Sequence, residues 1–393
     1  MSPIDMSPEG AGPASRPAPP PMGTRLSVCV GGGGVGKTTT SAALALSLAQ
    51  RKRKTLVITV DPARRLADAL GTEVGRHAQP VTLDRAGGML FARMPDSRMS
   101  LDDFVLWLFE DPVQRQRVMN NPAYRELGDS LAGVHELITI GLLQTEIDSG
   151  HWDEVVLDTA PSRHALAFLT YPSRLLGLLE AKALAWLAAL ASTADPSQAE
   201  HKPKSGLFEW GRSKAEAIMG KIVGLDGLRN LSALFADMVS VRERWAGLAR
   251  RTDHLLRNPS TRYLIIGALI GGAMADVAFL VDNLGRNGLK PSAIVLNRAE
   301  SEPPLCEQRV MQAISDALFD VPEQHLLALR NTLETMQNEH QLRGQAATRT
   351  MSALQDIAPA GTRVLRLPFI HRSEPSAIVI ALADAWLATG SDL

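Results

Sequence analysis

Eight residues fix most of what this 393-residue chain can fold into. Gly31-Gly32-Gly33-Gly34-Val35-Gly36-Lys37-Thr38 fits G-x4-G-K-[ST]. An apolar β-rich run, Leu26–Val30, precedes it, and an alanine- and leucine-rich helix is predicted from Lys37 to about Gln50. Glycines let the backbone curl until successive N–H groups point at one phosphate, and the helix dipole adds positive potential there. In such a loop Lys37 reaches the β- and γ-phosphates and the Thr38 hydroxyl holds Mg²⁺.

Buried strands alternate with helices at both ends of the chain. After Leu26–Val30 come Thr55–Val60, Met89–Met94, Glu154–Leu157, Tyr263–Leu269, Ala293–Leu296 and Val364–Leu367, before a last helix over Ser376–Thr389. This alternation predicts an α/β fold with a doubly wound, mostly parallel sheet and ligands at the strand carboxyl ends. Between the strand groups lies a large helical insertion, roughly residues 101–149 plus 172–258. In it Leu231, Leu234, Phe235, Met238, Val241, Trp245 and Leu248 recur at helical spacing and form one apolar stripe, read as core rather than groove. Thr193–Ser205, polar with two prolines, reads as a loop inside the insertion. The domain from residue 25 to 393 is preceded by residues 1–24, which hold seven prolines between Pro3 and Pro21 and read as a disordered tail.

The composition removes several classes. Apolar residues make up 45% and charged residues 21%, enough for a large core, so wholesale disorder and collagen-like structure are excluded. With 41 Lys+Arg against 42 Asp+Glu the net charge is −1, which gives no reason to expect a nucleic-acid partner. Cys29 and Cys306 are the only cysteines, so no disulfide framework exists and a reducing, cytoplasmic setting is expected. Leu175–Ser192 is interrupted by Glu180 and Lys182, and Tyr263–Val281 reads as a strand and then a helix with Asp276 its only charge. Neither reads as a membrane span.

Gly31-x-Gly33-x-x-Gly36 also satisfies the dinucleotide fingerprint, with Asp61 near the end of the next strand as the ribose-binding acid. Two features favour a nucleotide hydrolase instead: the Gly-Lys-Thr-Thr ending, and Val155-Val156-Leu157-Asp158, an apolar strand ending in an acid that holds the metal through a water. Asp61-Pro62 alone is equally a turn or a helix N-cap. With the glycine loop in place, the tip of the second strand is expected beside the first, where the Asp61 carboxylate orients the attacking water. A small-molecule kinase fits the loop equally well but leaves Asp158-Thr159-Ala160-Pro161 and the long insertion unexplained.

Taken together, Gly31–Thr39, Asp61-Pro62-Ala63 with Leu66-Ala67-Asp68, Asp158–Pro161 and Asn297-Arg298 resemble the arsenite-pump and tail-anchored-protein-targeting ATPases, the ArsA-like branch of the deviant-Walker P-loop proteins. Gly133-Val134-His135-Glu136, with Ala132 in place of proline, resembles the family's Pro-Gly-x-x-Glu segment, and Pro368-x5-Glu374 its adenine-side loop. The resemblance spans about Leu26 to Trp386. It implies an ATP- and Mg²⁺-dependent ATPase in which the backbone of Gly31, Gly32, Gly33, Gly34, Val35 and Gly36, with Lys37, Thr38 and Thr39, binds the phosphates. Asp61 and Lys37 would be catalytic, Thr38 and Asp158 would hold the metal, and Asn297, Arg298 and Pro368 would flank the base. It also implies a second P-loop chain, identical or paralogous, and a protein or membrane-associated client.

Three departures qualify that picture. The family's signature lysine is Gly32 here, and that lysine reaches the partner's nucleotide much as an arginine finger does. Its loss implies slow hydrolysis, or a paralogous partner that supplies the charge; Arg64 and Arg65 read as a solvated surface pair rather than a substitute. Arsenite needs several convergent thiolates, which two separated cysteines do not offer. With no Cys-x-x-Cys, a zinc-bridged dimer is excluded by that route.

Overall fold

The central strands are apolar on both sides because each faces two cores. In β1 (Arg25–Gly31), Leu26, Val28 and Val30 enter one core and Cys29 the other. Alternation of the same kind divides β2 (Thr55–Thr59), β5 (Glu154–Asp158), β6 (Arg262–Ala268) and β7 (Ala293–Asn297). The computed structural model describes residues 23–60, 64–94, 105–125, 134–159, 236–269, 273–300 and 323–390, with positions 102, 169, 170, 172, 227, 230, 233, 234 and 316 besides. The proline-rich tail, Leu175–Ser192 and Thr193–Ser205 lie outside the described residues, as do Leu231 and Phe235 of the apolar stripe.

With β3 (Gln79–Pro80), β4 (Leu90–Arg93) and β8 (Arg363–Arg366) the sheet has eight strands in the order β3-β4-β2-β5-β1-β6-β7-β8. Every pairing is parallel except β3 with β4. This is the α/β fold of a P-loop nucleotide-binding domain. The tip of β2 does not lie beside β1, contrary to expectation: β5 separates them, with Asp158 opposite both Cys29 and Thr59. The crossover from β1 to β2 skips one position, and a strand arriving about a hundred residues later fills it.

One face of the sheet is covered by α1 (Lys37–Gln50), α2 (Arg65–Leu70) and α8 (Pro375–Ala388). Apart from its ends α1 is buried almost all round, and its Ala42, Ala43, Ala45 and Ala49 let the sheet and α8 approach closely. The opposite core takes apolar residues from α3 (Pro112–Asn120), α4 (Val134–Asp148), α5 (Arg242–Arg257), α6 (Ala273–Arg286) and α7 (Glu323–Ile357). Leu234 and Leu248 are buried there with Met238, Val241 and Trp245 packed against them, so this part of the stripe is core. Tyr263–Val281 is β6 followed by α6, and no described helix is long and apolar enough to cross a membrane.

At the amino ends of β5 and β6, Glu154 is buried against Arg262, with Arg53 at 2.9 Å on its other oxygen. Burial pushes the Glu154 carboxyl above its usual range and Arg262 below its own, each opposed by the partner's charge. A desolvated pair of this kind is costly to break and cheap to replace whole. Arg262→Met alone is therefore expected to destabilise the fold by about 3 kcal/mol, whereas Glu154→Leu with Arg262→Met recovers most of that loss. Urea midpoints of the three proteins check it.

Candidate nucleotide-binding site

The loop from β1 to α1 is built so that side chains are excluded from it. Gly34 and Gly36 take left-handed φ values of 75° and 83°, the alternation that turns successive N–H groups to one side. A Cβ at Gly31 would strike the Ile266 carbonyl oxygen at 2.5 Å, and one at Gly36 would overlap Asn297 Nδ2. Gly33 and Gly34 are exposed, with open space where a Cβ would stand. Gly36 caps α1 with no side-chain hydrogen bond, which leaves first-turn N–H groups for an anion. Val35, Lys37 and Thr38 are buried, and Thr39 is half-buried beside them.

Lys37 turns back onto the end of β5. Its Nζ lies 3.3 Å from Asp158 Oδ1 and donates to the Thr159 carbonyl oxygen. Asp158 is fully buried, and two hydroxyls also face it: Ser41 Oγ at 3.3 Å from Oδ1 and Thr59 Oγ1 at 3.1 Å from Oδ2. Thr159 is tied to β1, its hydroxyl donating to the Cys29 carbonyl at 2.8 Å. An acid, a lysine and a bare helix terminus thus converge at the carboxyl ends of the central strands, where an α/β sheet takes its ligands. A buried ion pair with Asp158 is more than an incidental Lys37 requires, which favours the phosphate-loop reading over the dinucleotide one.

The sheet also brings Asn297, Arg298 and Pro368 to this end. Asn297 Nδ2 donates to the Val35 carbonyl at 2.9 Å, while its buried Oδ1 has no hydrogen-bond partner. Arg298 has φ 55°, a left-handed bend at the exit of β7, and its Nε would sit 3.8 Å from a Cβ at Gly36. Leu367, just before exposed Pro368, exchanges backbone hydrogen bonds of 2.9 Å with Leu296 and Ala299. Glu374 is exposed at the N-cap of α8. Arg64 and Arg65 are exposed. Asp61-Pro62-Ala63, Ala160-Pro161, Ala132-Gly133 and Cys306 lie outside the described residues.

Sequence reasoning missed three neighbours. Ser41 lies one helical turn after Lys37 and hence on its face, a spacing that was available to find it. Thr59 is a polar residue ending an otherwise apolar strand. Asp276 was visible as the lone charge after β6, and its Oδ2 stands 2.7 Å from where a Cβ at Gly32 would be. A separate cleft of about 430 Å³, lined by Arg257, Arg262, Lys290 and Arg363 among others, opens at the amino ends of β6 to β8, away from this chemistry.

Cys29, behind the loop, is a buried free thiol. Burial pushes its thiol from 9.0 up to about 12, with Ser41 and Lys37 pulling the other way. Iodoacetamide at pH 8 is expected to leave Cys29 unmodified in the folded chain and to alkylate it in urea, as peptide mass mapping would record. Because the folded value is raised, the stability this thiol contributes is complete below pH 9 and is lost as pH rises toward about 12.

Comparison with known proteins agrees with this arrangement. Residues 24–204 match the model of the anion-transporting ATPase family, ArsA ATPase. The chain is 34% identical over 191 residues to ATPase get3 of Aspergillus terreus, covering 48% of each chain. It is 33% identical over 191 residues to ATPase get3 of Aspergillus niger, again 48% of each. Against ATPase get3 of Schizosaccharomyces japonicus it is 32% identical over 144 residues, 36% of this chain and 40% of that one. The chain spans about half the length of the curated relatives it matches. Residues 24–204, which carry the glycine loop, Lys37 and Asp158, are the part of the chain that is similar to the anion-transporting ATPase family.

Proposed function

We propose that this chain is a Mg²⁺-dependent ATPase that works as a two-chain switch in the cytoplasm. The observation that carries the reading is the meeting of Lys37, the bare N-terminus of α1 and buried Asp158 at one point. In this account the backbone N–H groups of residues 31–38 receive the phosphates, and Lys37 exchanges Asp158 and the Thr159 carbonyl for phosphate oxygens. Thr38 and Asp158 would hold Mg²⁺, which when bound neutralises charge on the phosphates. No cluster of three His, Cys, Asp or Glu stands ready for a metal among the described residues, so Mg²⁺ would take its other ligands from phosphate and water, as it commonly does. Asp61, two residues beyond Thr59, would orient the attacking water. The orphaned Asn297 Oδ1 accepts from the exocyclic amine of adenine, with Arg298 and Pro368 alongside.

Release of the Thr159 carbonyl by Lys37 gives the nucleotide a way to move the segment after β5, which leads into the helical insertion. We assign to that insertion, residues 101–149 and 172–258, the contact with a client or with the second chain. A purified chain that releases phosphate from ATP, with Lys37→Ala silent, supports the reading; equal release by both proteins overturns it.

Gly32 favours one alternative, a weakly hydrolysing regulatory subunit that depends on a paralogous ATPase. A Cβ at position 32 would meet the Asp276 side chain, 2.7 Å from its Oδ2, rather than backbone. Gly32→Lys is expected to raise turnover of the isolated chain by at least about 10-fold, a modest fraction of what a trans-acting cation supplies. Turnover by the unaltered chain equal to that of the variant argues against the regulatory reading.

A further inference from the structure

We infer that Thr59 is a positioning residue: its hydroxyl holds Asp158 in the orientation that receives the metal and ties that acid to β2. The inference rests on the ATPase reading and adds to it the residue that holds the metal-side acid in place.

Asp158 has one oxygen turned toward α1 and the other toward β2. Oδ1 faces Lys37 Nζ and Ser41 Oγ, each at 3.3 Å, and Oδ2 accepts from Thr59 Oγ1 at 3.1 Å. Ser41 has a single hydroxyl proton, and its shorter contact, 2.9 Å, is to the Lys37 carbonyl. Lys37 is the partner that leaves when a triphosphate arrives. Once Lys37 has left, Thr59 is the hydroxyl in shorter contact with Asp158, 3.1 Å against 3.3 Å for Ser41. The backbone repeats the connection, because the Val60 N–H donates to the Asp158 carbonyl at 3.0 Å.

The bland alternative is that Thr59 merely satisfies a buried carboxylate at a strand end. That role and the positioning role differ in what they change. A satisfying contact affects stability alone, whereas a positioning one affects metal use and turnover, since outer-shell partners of metal ligands are worth roughly 10- to 100-fold in metal affinity or activity.

The test compares Thr59→Val, which keeps the shape and removes the hydroxyl, with Thr59→Ser, which keeps the hydroxyl. In the full chain, phosphate release is measured against Mg²⁺ and ATP concentration, ADP binding is measured in EDTA, and circular dichroism follows melting. For Thr59→Val the Mg²⁺ concentration at half-maximal rate is expected to rise at least about 10-fold and kcat to fall by a similar factor. KM for ATP and Mg²⁺-free ADP binding stay within about 3-fold, because the hydrogen bond removed is to Asp158. Thr59→Ser restores the Mg²⁺ dependence. A Val variant with unchanged Mg²⁺ dependence, or a Ser variant as impaired as Val, overturns the inference. If Thr59→Val does not fold, Thr59→Ala is measured against Thr59→Ser with the same criteria. Failure of the unaltered chain to bind ADP at all would instead overturn the ATPase reading.

Discussion

Lys37→Ala is expected to weaken nucleotide binding by at least about 100-fold, equivalent to about 2.7 kcal/mol, measured with a fluorescent ADP analogue at equilibrium. The side chain is nearly buried, its ammonium is directed at Asp158 and the Thr159 carbonyl, and no other described cation stands on Asp158. Removing it withdraws the charge from the phosphate site. It also strands a carboxylate with no solvent exposure on hydroxyls alone, so the melting temperature should fall as well. The two effects separate in Lys37→Arg, which keeps the charge for Asp158 but replaces a point cation by a broad planar fork. That variant should melt near the unaltered protein and still bind nucleotide poorly.

Gly36→Ala carries the second-largest effect. At φ 83° an L side chain is strained by about 1–2 kcal/mol before any contact is counted. Its methyl would also overlap the Asn297 amide, which is itself held by the Val35 carbonyl, so it cannot retreat without breaking that bond. The expected result is a fold destabilised by about 2–3 kcal/mol and nucleotide affinity lowered at least 10-fold. Gly33→Ala is the control: open space surrounds that position and its φ is not left-handed, so its urea midpoint should match the unaltered chain. A Gly36→Ala protein that melts with Gly33→Ala would mean that Asn297 does not brace the loop.

The strands were legible because burial on both faces writes itself as unbroken apolar runs such as Tyr263–Leu269 and Ala293–Leu296. β3 was not, since Gln79-Pro80 is two exposed residues with no apolar pattern. The place of β5 between β1 and β2 was equally hidden. Parallel pairing is set by crossovers between distant segments, and nothing local in Glu154–Asp158 names its neighbours. The long α7 was missed because its amino half is rich in polar residues and its Leu327 and Met336 stand in solvent, so no apolar stripe announces it. At the site, Lys37 and Asp158 could be paired from the motif and the acid-ended strand. Ser41 and Thr59 could not, because hydroxyls within apolar runs usually mean only a satisfied backbone. Gly32, read as the loss of a lysine, gained a physical neighbour in Asp276 that spacing alone did not supply.

The central claim is that the amides of residues 31–38 and the Lys37 ammonium grip a polyphosphate. Isothermal titration of MgATP into the full chain addresses it without relying on turnover, partner or client. The account predicts saturable heat corresponding to one nucleotide per chain, abolished in Lys37→Ala. A flat thermogram for the folded, unaltered chain at millimolar nucleotide would contradict it.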